Sequence, residues 1–158
     1  MILKEKPGEM DKRFVTISFC YLKMDWFALR HPALSTMPFL LTLPRHGRII
    51  MDDANLMAKK EGDDTGMFVS DARALAPSLQ VLEDQLKLPI RLLNALVEWF
   101  VRNTPVVNID LPGGLILDIT GCAHLWGGEK LYLTHIITQL KHEGYIVKAT
   151  IADTIGTT

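Results

Sequence analysis

The sequence lacks the features that mark secreted, membrane-spanning or strongly DNA-binding proteins. It contains two cysteines, Cys20 and Cys122, which are too few for a disulfide framework and lie in no Cys-x-x-Cys spacing. Its apolar runs are far shorter than the roughly 20 residues that a membrane helix needs. The 17 basic and 18 acidic residues nearly cancel, so no global positive field draws the chain to nucleic acid. The composition therefore predicts a soluble protein of the reducing cytoplasm.

The first 80 residues contain three stretches of different character. Residues 1–12 are polar and carry no apolar core of a signal peptide, so they predict a flexible leader. Phe14 to Leu22 is rich in aromatic and β-branched residues and predicts a buried strand. Residues 23–80 predict only short elements: helices at Asp25–Arg30 and Asn55–Lys60, an apolar run after Pro38, a strand at Arg48–Met51 and a brief helix capped by Ser70.

The remainder of the chain has clear periodicity. An amphipathic helix is predicted from Glu83 to about Asn103, and a second from Gly128 or Glu129 to a cap at Gly144. Between them lie two apolar strands, Val106–Leu111 and Leu115–Ile119, and Tyr145–Ala152 predicts a last strand. The order strand, helix, strand, strand, helix, strand is typical of an α+β, ferredoxin-like βαββαβ fold, an antiparallel sheet with helices on one face. Residues 23–80 are then an insertion after the first strand.

Several motifs resemble those of Y-family DNA polymerases. Leu111 to Thr120 is similar to the palm motif Ser-x-Asp-Glu-Ala-Tyr-Leu-Asp-Val-Thr, of which Leu117-Asp118-Ile119-Thr120 keeps the tail. Weaker matches to other motifs of the family occur, in the family's order, at Pro32–Pro38, Gly62–Met67, Asp71–Pro77 and Thr104–Val106. The resemblance implies a palm-like domain of residues 13–22 and 81–158 and a fingers-like insertion of residues 23–80. The chain departs from the family in length, and we expect no thumb or little-finger domain within these residues.

The family's catalytic positions carry no carboxylate in this chain. Its first aspartate aligns with Ser18, and its Asp-Glu pair aligns with Gly113 and Gly114. Two-metal phosphoryl transfer needs clustered carboxylates to hold magnesium, so the sequence predicts no catalytic residue, no metal site and no cofactor. Lys23 replaces the aromatic residue that screens the sugar. The triphosphate-gripping Tyr-Glu-Ala-Arg aligns with Leu56 to Lys59, where only Lys59 keeps its charge.

These losses resemble ImuB-type proteins, the non-catalytic Y-family homologues of bacterial mutagenesis cassettes. Thr120 to Glu129 and Ile151 to Thr154 look like that group's version of the palm. The resemblance implies an accessory, scaffolding role in damage-induced translesion synthesis. It also implies three partners: a RecA-like protein, an error-prone replicative-type polymerase and the sliding clamp. Contact with DNA is expected to be weak or to be made through a C-terminal part of the family's proteins that these residues do not include, and no membrane contact is expected.

Two alternative functions remain open at the level of sequence. The first is an active polymerase fragment in which Met24 to Ala28 is the catalytic strand and Asp25 a metal ligand. The second is a self-contained ferredoxin-like binding module, because the fold hosts many functions.

Other polar residues admit a functional and a structural interpretation. Asp110 and Asp118, on neighbouring strands, could share a cation, although a structural role for Asp118 at the strand end is favoured. The pairs Asp52-Asp53 and Asp63-Asp64 indicate turn and cap chemistry. Basic residues of the insertion could retain a phosphate contact, but solvated surface is favoured: Lys23, Arg30, Arg45, Arg48, Lys59 and Lys60.

The remaining candidates are histidines and a tryptophan. His124, His135 and His142 lack the spacing and cysteine support of metal ligands. Trp126 could anchor a partner, but packing against the second amphipathic helix is favoured.

Overall fold

The computed structural model describes residues 11–102, 104 and 106–155. They fall into two compact units. The four-stranded unit contains the described residues up to Cys20 and from Pro89 onward, and the inserted unit is Tyr21–Leu88. In chain order the elements are β1 (Phe14–Phe19), α1 (Leu22–Arg30), β2 (Phe39–Arg45), β3 (Arg48–Ala54), α2 (Leu56–Lys60), α3 (Val69–Leu75), β4 (Gln80–Glu83), α4 (Leu88–Phe100), β5 (Val106–Asp110), β6 (Gly114–Asp118), α5 (Glu129–His142) and β7 (Val147–Ala152).

The four-stranded unit is an antiparallel sheet with the strand order β5-β6-β1-β7. Its first strand is central because β1 pairs with β6 on one side and β7 on the other. Strand side chains alternate between the two faces. Val15 and Ile17 of β1 and Leu115 and Leu117 of β6 are therefore buried together with α5 residues such as Ile136. The α+β, ferredoxin-like architecture predicted from the sequence is confirmed.

The inserted unit is built on a three-stranded sheet with the order β3-β2-β4. β2 and β3 form an antiparallel hairpin, whereas β4 pairs with β2 in parallel. Its core combines small and medium-sized apolar side chains: Leu40, Met51, Ala54, Ala58, Ala72, Ala76 and Leu79. The alanines let α2 and α3 contribute to a core made of short elements.

Several sequence-predicted boundaries of the insertion are wrong. Strand β4 was not predicted, and the helix expected from Glu83 begins at Leu88, because residues 80–83 pair with β2 instead of continuing a helix. For the same reason the inserted unit extends to Leu88 rather than to residue 80. Ser70 does not cap α3, since that helix begins at Val69 after Phe68 without a side-chain cap. Within the described residues no helix is long and apolar enough to cross a membrane.

Candidate functional site

The three positions that align with the family's catalytic carboxylates are brought together at one end of the four-stranded sheet. Ser18 pairs with Gly114 across β1 and β6, and the amide of Phe19 donates to the carbonyl oxygen of Gly113 at 2.9 Å. The sequence alignment therefore selected positions that are neighbours in space. None of these residues has an acidic side chain.

One cross-strand row shows what occupies this end of the sheet. Ser18 is flanked by Gly114 on β6 and Lys148 on β7, and Gly114 is flanked in turn by Asp110 on β5. Residues that lie directly opposite in an antiparallel sheet point to the same face. The row thus presents one lysine, one serine, one glycine and one aspartate. A row with a single carboxylate is a poor ligand set for two divalent cations.

The backbone at Gly114 leaves no room for a side chain. A Cβ atom built there would lie 2.9 Å from the carbonyl oxygen of Ile17 and 3.2 Å from that of Asp110. Both atoms belong to neighbouring strands, so a side chain at this position would force the strands apart. At Gly113 the corresponding Cβ would lie 3.6 Å from the carbonyl oxygen of Phe19, an ordinary contact. The close strand packing therefore excludes a carboxylate at position 114 but not at 113.

Asp110 and Asp118 do not form a common cation site. Asp110 is opposite Gly114, whereas Asp118 lies four residues further along β6, opposite Val106. At the usual rise of a strand, the two aspartates are therefore about 13 Å apart along the strand direction. Asp118 accepts a hydrogen bond from the amide of Thr120 at 3.0 Å, and hydrogen bonds from Thr120 lower its pKa. The structural role predicted for Asp118 is confirmed, and the shared cation site is wrong. No group of three His, Cys, Asp or Glu side chains in the described ranges is arranged to hold a metal ion.

Asp25 lies on a helix, which contradicts the alternative frame for an active polymerase. Strand β1 ends at Phe19, and Asp25 occupies the first turn of α1, where its amide donates to the carbonyl oxygen of Tyr21 at 2.8 Å. The segment Met24 to Ala28 is therefore not the catalytic strand.

Lys23, which replaces the sugar-screening aromatic residue, is held inside the inserted unit by two carboxylates. Its ammonium group lies 2.7 Å from Asp84 Oδ2 and 2.8 Å from Asp52 Oδ2. The Asp84 side chain is only 1% exposed, and its other oxygen has no hydrogen-bond partner within the described residues. Lys23, Asp52 and Asp84 thus form an internal group of charges, called here the ion cluster.

The protonation equilibria of the ion cluster follow from its burial. Burial raises the pKa of Asp84, and the neighbouring carboxyl group of Asp52 raises it further. The interaction with Asp84, followed by the contact with Lys23, lowers the pKa of Asp52. Burial opposes the charge of Lys23, but the hydrogen bonds to the two carboxylates outweigh it and raise the Lys23 pKa.

The remaining basic residues of the insertion have separate environments. Lys59, at the position of the triphosphate-gripping arginine, lies 3.6 Å from Asp53 Oδ1. The Arg30 guanidinium lies 4.8 Å from the centre of the Trp26 ring, and that of Arg48 lies 4.9 Å from the centre of the Phe68 ring. Lys59, Arg30 and Arg48 therefore each interact with a different neighbour.

The acidic pairs of the insertion only partly follow the sequence interpretation. Asp53 Oδ1 accepts from the amide of Ala54 and Asp64 Oδ1 from that of Thr65, as expected of turn residues. Asp52 instead belongs to the ion cluster. Asp63 is buried, neither of its oxygens has a hydrogen-bond partner among the described residues, and burial raises its pKa. Turn chemistry is therefore wrong for Asp52, which contacts Lys23 far away in sequence, and for Asp63, whose carboxylate makes no such bond in this part of the chain.

Trp126 packs on α5, as favoured by the sequence. Its ring stacks on Tyr132 and His135, with ring centres 5.4 and 4.7 Å away. The Tyr132 hydroxyl is 2.6 Å from the buried Thr104 hydroxyl. His124 is exposed, and His142 lies in the last turn of α5, where a positive charge is favoured.

Sequence reasoning missed Asp84 altogether. Asp84 follows a short strand that was not predicted, and only the pairing of β4 with β2 places it beside Lys23. A lysine at a position that is aromatic in the family was the available signal, since a charged side chain in such a place requires a partner.

The fold is that of a polymerase palm, and the positions that align with the family's metal-binding carboxylates carry none in this chain. The likeness to solved structures supports the fold. A post-insertion binary complex of Dbh DNA polymerase superposes with a TM-score of 0.73 at 17% identity, covering 89% of this chain and 42% of that one. DinB from Sulfolobus solfataricus gives a TM-score of 0.71 at 17% identity, with the same coverage of both chains.

Sequence comparison gives the family. Residues 18–157 match the impB/mucB/samB family, and the chain belongs to this family of Y-family polymerase relatives. It is 43% identical over 91 residues to Protein ImuB of Caulobacter vibrioides (strain NA1000 / CB15N). The match covers 58% of this chain and 20% of that relative's length. The resemblance to Y-family polymerases and to ImuB-type proteins that the motifs indicated is confirmed.

Proposed function

We propose that this chain is part of a non-catalytic Y-family polymerase homologue that acts as a scaffold in bacterial DNA-damage tolerance. In this proposal the four-stranded unit corresponds to the palm and the inserted unit to the fingers. The protein works in the cytoplasm, where the chromosome lies. It links a RecA-like protein, an error-prone replicative-type polymerase and the sliding clamp during translesion synthesis, and its own contact with DNA is weak.

The observation that carries this proposal is the composition of the row Lys148, Ser18, Gly114 and Asp110. A polymerase needs several carboxylates there to hold two metal ions, and this row offers one. The neighbouring strands approach Gly114 so closely that the glutamate of the family's Asp-Glu pair would have no room at this position. Lys23, which replaces the aromatic residue that screens the sugar, is hydrogen-bonded to Asp52 and Asp84. This supports a loss of nucleotide recognition as well.

A primer-extension and complementation experiment tests the non-catalytic part. The natural full-length protein and its Ser18→Ala variant are assayed with a primed template, four deoxynucleotides and magnesium, and both are expressed in cells lacking the gene. We expect no extension by either protein and equal restoration of damage-induced mutagenesis by both. Extension by the wild type that Ser18→Ala or Asp110→Asn abolishes would indicate an active polymerase and contradict the proposal.

Affinity capture from DNA-damaged source cells tests the scaffold part. Tagged residues 1–158 and the tagged full-length protein serve as baits, with an unrelated protein of the same charge as control. Enrichment of a RecA-like protein or an error-prone polymerase on the shorter bait supports docking on this region. Recovery only by the longer bait assigns docking to another region. Failure of both baits contradicts the scaffold and favours a self-contained binding module.

A further inference from the structure

The tip of the β2–β3 hairpin concentrates positive charge. Arg45 and Arg48 are direct cross-strand partners, joined by His46 and Gly47, whose φ angles are +49° and +74°, the conformation of a two-residue hairpin turn. Like charges placed directly opposite each other destabilise a hairpin. Neither guanidinium forms an ion pair within the described part of the chain.

Apolar side chains surround this tip. Ile49 is 58% exposed, Leu86 75% and Phe68 39%. Two shallow grooves share Ile49: one is lined by Pro44 and Leu86 among others, and the other by Arg48 and Phe68. The five residues Arg45, Arg48, Ile49, Phe68 and Leu86 are named here the hairpin-tip surface. It combines two opposed cations, of which Arg45 has Asp52 as a neighbouring charge without forming an ion pair, with three apolar groups left in water. Opposed like charges and exposed apolar surface both lower the stability of the free protein.

A partner with both carboxylates and apolar side chains would neutralise the two arginines and cover the exposed apolar side chains together. Arg48 lies over the Phe68 ring, so its orientation is already restricted while the N–H groups at its edge remain able to donate to a carboxylate. Apolar side chains of the same partner would cover Ile49 and Leu86, which together account for most of the exposed apolar character beside the tip.

Nucleic acid fits this surface less well. A phosphate backbone requires a row of cations, and bases require free aromatic faces. Here one face of Phe68 is covered by Arg48, and the hairpin tip offers one pair of arginines, not a row of cations. A short protein segment with few carboxylates needs no such row.

We propose that the hairpin-tip surface docks a protein segment in which acidic residues are flanked by apolar ones. The carboxylates bind Arg45 and Arg48, and the apolar side chains lie in the two grooves on either side of Ile49. This inference does not depend on whether the four-stranded unit is catalytic.

A nuclear magnetic resonance titration tests it on the 158-residue chain. The probe is a synthetic peptide with a Leu-Asp-Asp-Leu block, compared with Leu-Asn-Asn-Leu and Ser-Asp-Asp-Ser versions and with a single-stranded oligothymidine. We expect the first peptide alone to shift the amide signals of residues 43–50, 66–70 and 84–87 in a saturable way. Raising the salt concentration should weaken this binding, because screening reduces the attraction between exposed charges.

Variants locate the binding. The double substitution Arg45→Ser with Arg48→Ser, and separately Ile49→Ser, should each weaken binding at least about tenfold, whereas the exposed control Arg73→Ser should leave it unchanged. The double variant should also melt no lower than the wild type, because it removes opposed like charges. No saturation up to about 1 mM peptide, equal binding by all variants, or shifts caused by the oligothymidine alone would overturn the proposal.

Discussion

The four-stranded unit and the inserted unit differ in the polar groups that they bury. In the four-stranded unit the buried pair is neutral, with the Thr104 hydroxyl 2.6 Å from that of Tyr132. The inserted unit buries charge, in Asp63 and in the ion cluster of Lys23, Asp52 and Asp84. The three positions that align with the family's catalytic carboxylates, Ser18, Gly113 and Gly114, lie in the four-stranded unit and carry no acidic side chain. The inserted unit, in contrast, carries an internal charge cluster.

The two units therefore depend on different interactions. The sheet of the four-stranded unit relies on close backbone approach and alternating apolar side chains, which tolerate no added volume. The inserted unit has short elements and a core rich in alanine, so specific polar contacts have a larger share in defining its structure. Four substitutions separate these two kinds of dependence.

Lys23→Met should have the largest effect. It leaves Asp84, with a side chain 1% exposed, beside Asp52 without a cation, and breaking a largely buried ion cluster in this way costs about 2–4 kcal/mol. Urea unfolding measures the loss, and hydrogen exchange should localise it to residues 21–88. The exposed Lys60→Met is the control and should change stability by less than about 0.5 kcal/mol. Equal effects of the two substitutions would show that the cluster does not stabilise the insertion.

Gly114→Ala tests the close strand approach in the four-stranded unit. Its Cβ would lie 2.9 Å from the Ile17 carbonyl oxygen, and such overpacking costs about 1–3 kcal/mol. Gly113→Ala, whose Cβ has room, should be neutral or slightly stabilising because it restricts the unfolded chain. Thermal unfolding distinguishes the two. If Gly114→Ala is as stable as Gly113→Ala, the missing carboxylate at position 114 has no steric explanation.

Thr104→Val tests the neutral polar pair. The substitution leaves the buried Tyr132 hydroxyl without its partner, which costs about 1–2 kcal/mol. Tyr132→Phe in the same background should recover part of this loss, because it removes the unpaired group. A double-mutant cycle from urea unfolding gives the coupling energy between the two side chains. A coupling energy of zero would mean that the short contact does not contribute to stability.

Asp63→Asn should have the smallest effect, and it should be stabilising. Burial raises the pKa of Asp63 in the folded chain, so the folded state binds this proton more tightly than the unfolded state. The resulting stabilisation is present at low pH and is lost as the pH rises through the raised pKa. The variant should therefore gain on the order of 1 kcal/mol near pH 7 and almost nothing below the ordinary pKa of an aspartate. Urea unfolding across this pH range measures the difference, with Asp64→Asn, at an exposed position, as control.

A gain from Asp63→Asn that is the same at all pH values would contradict this account. It would indicate that the amide improves packing or hydrogen bonding and that the ionisation of Asp63 does not matter.

The sequence by itself determined the elements that repeat a simple pattern and the positions that align with a known motif. The ferredoxin-like sheet was predicted from the aromatic and β-branched run Phe14–Leu22, the apolar strands Val106–Leu111 and Leu115–Ile119, and the helical periodicity of the segments that form α4 and α5, because these patterns depend on local geometry. Alignment with the family's motifs identified Ser18, Gly113 and Gly114, which the structure places together.

Only the tertiary structure decided the contacts that join distant parts of the chain. Strand β4 exists because β2 offers it an edge, and that pairing places Asp84 beside Lys23, 61 residues away in sequence. The burial of Asp63 and the lack of space at Gly114 also depend on neighbours that no local pattern specifies. Local propensities select helices and strands, but burial, pKa and available volume are properties of the packed chain.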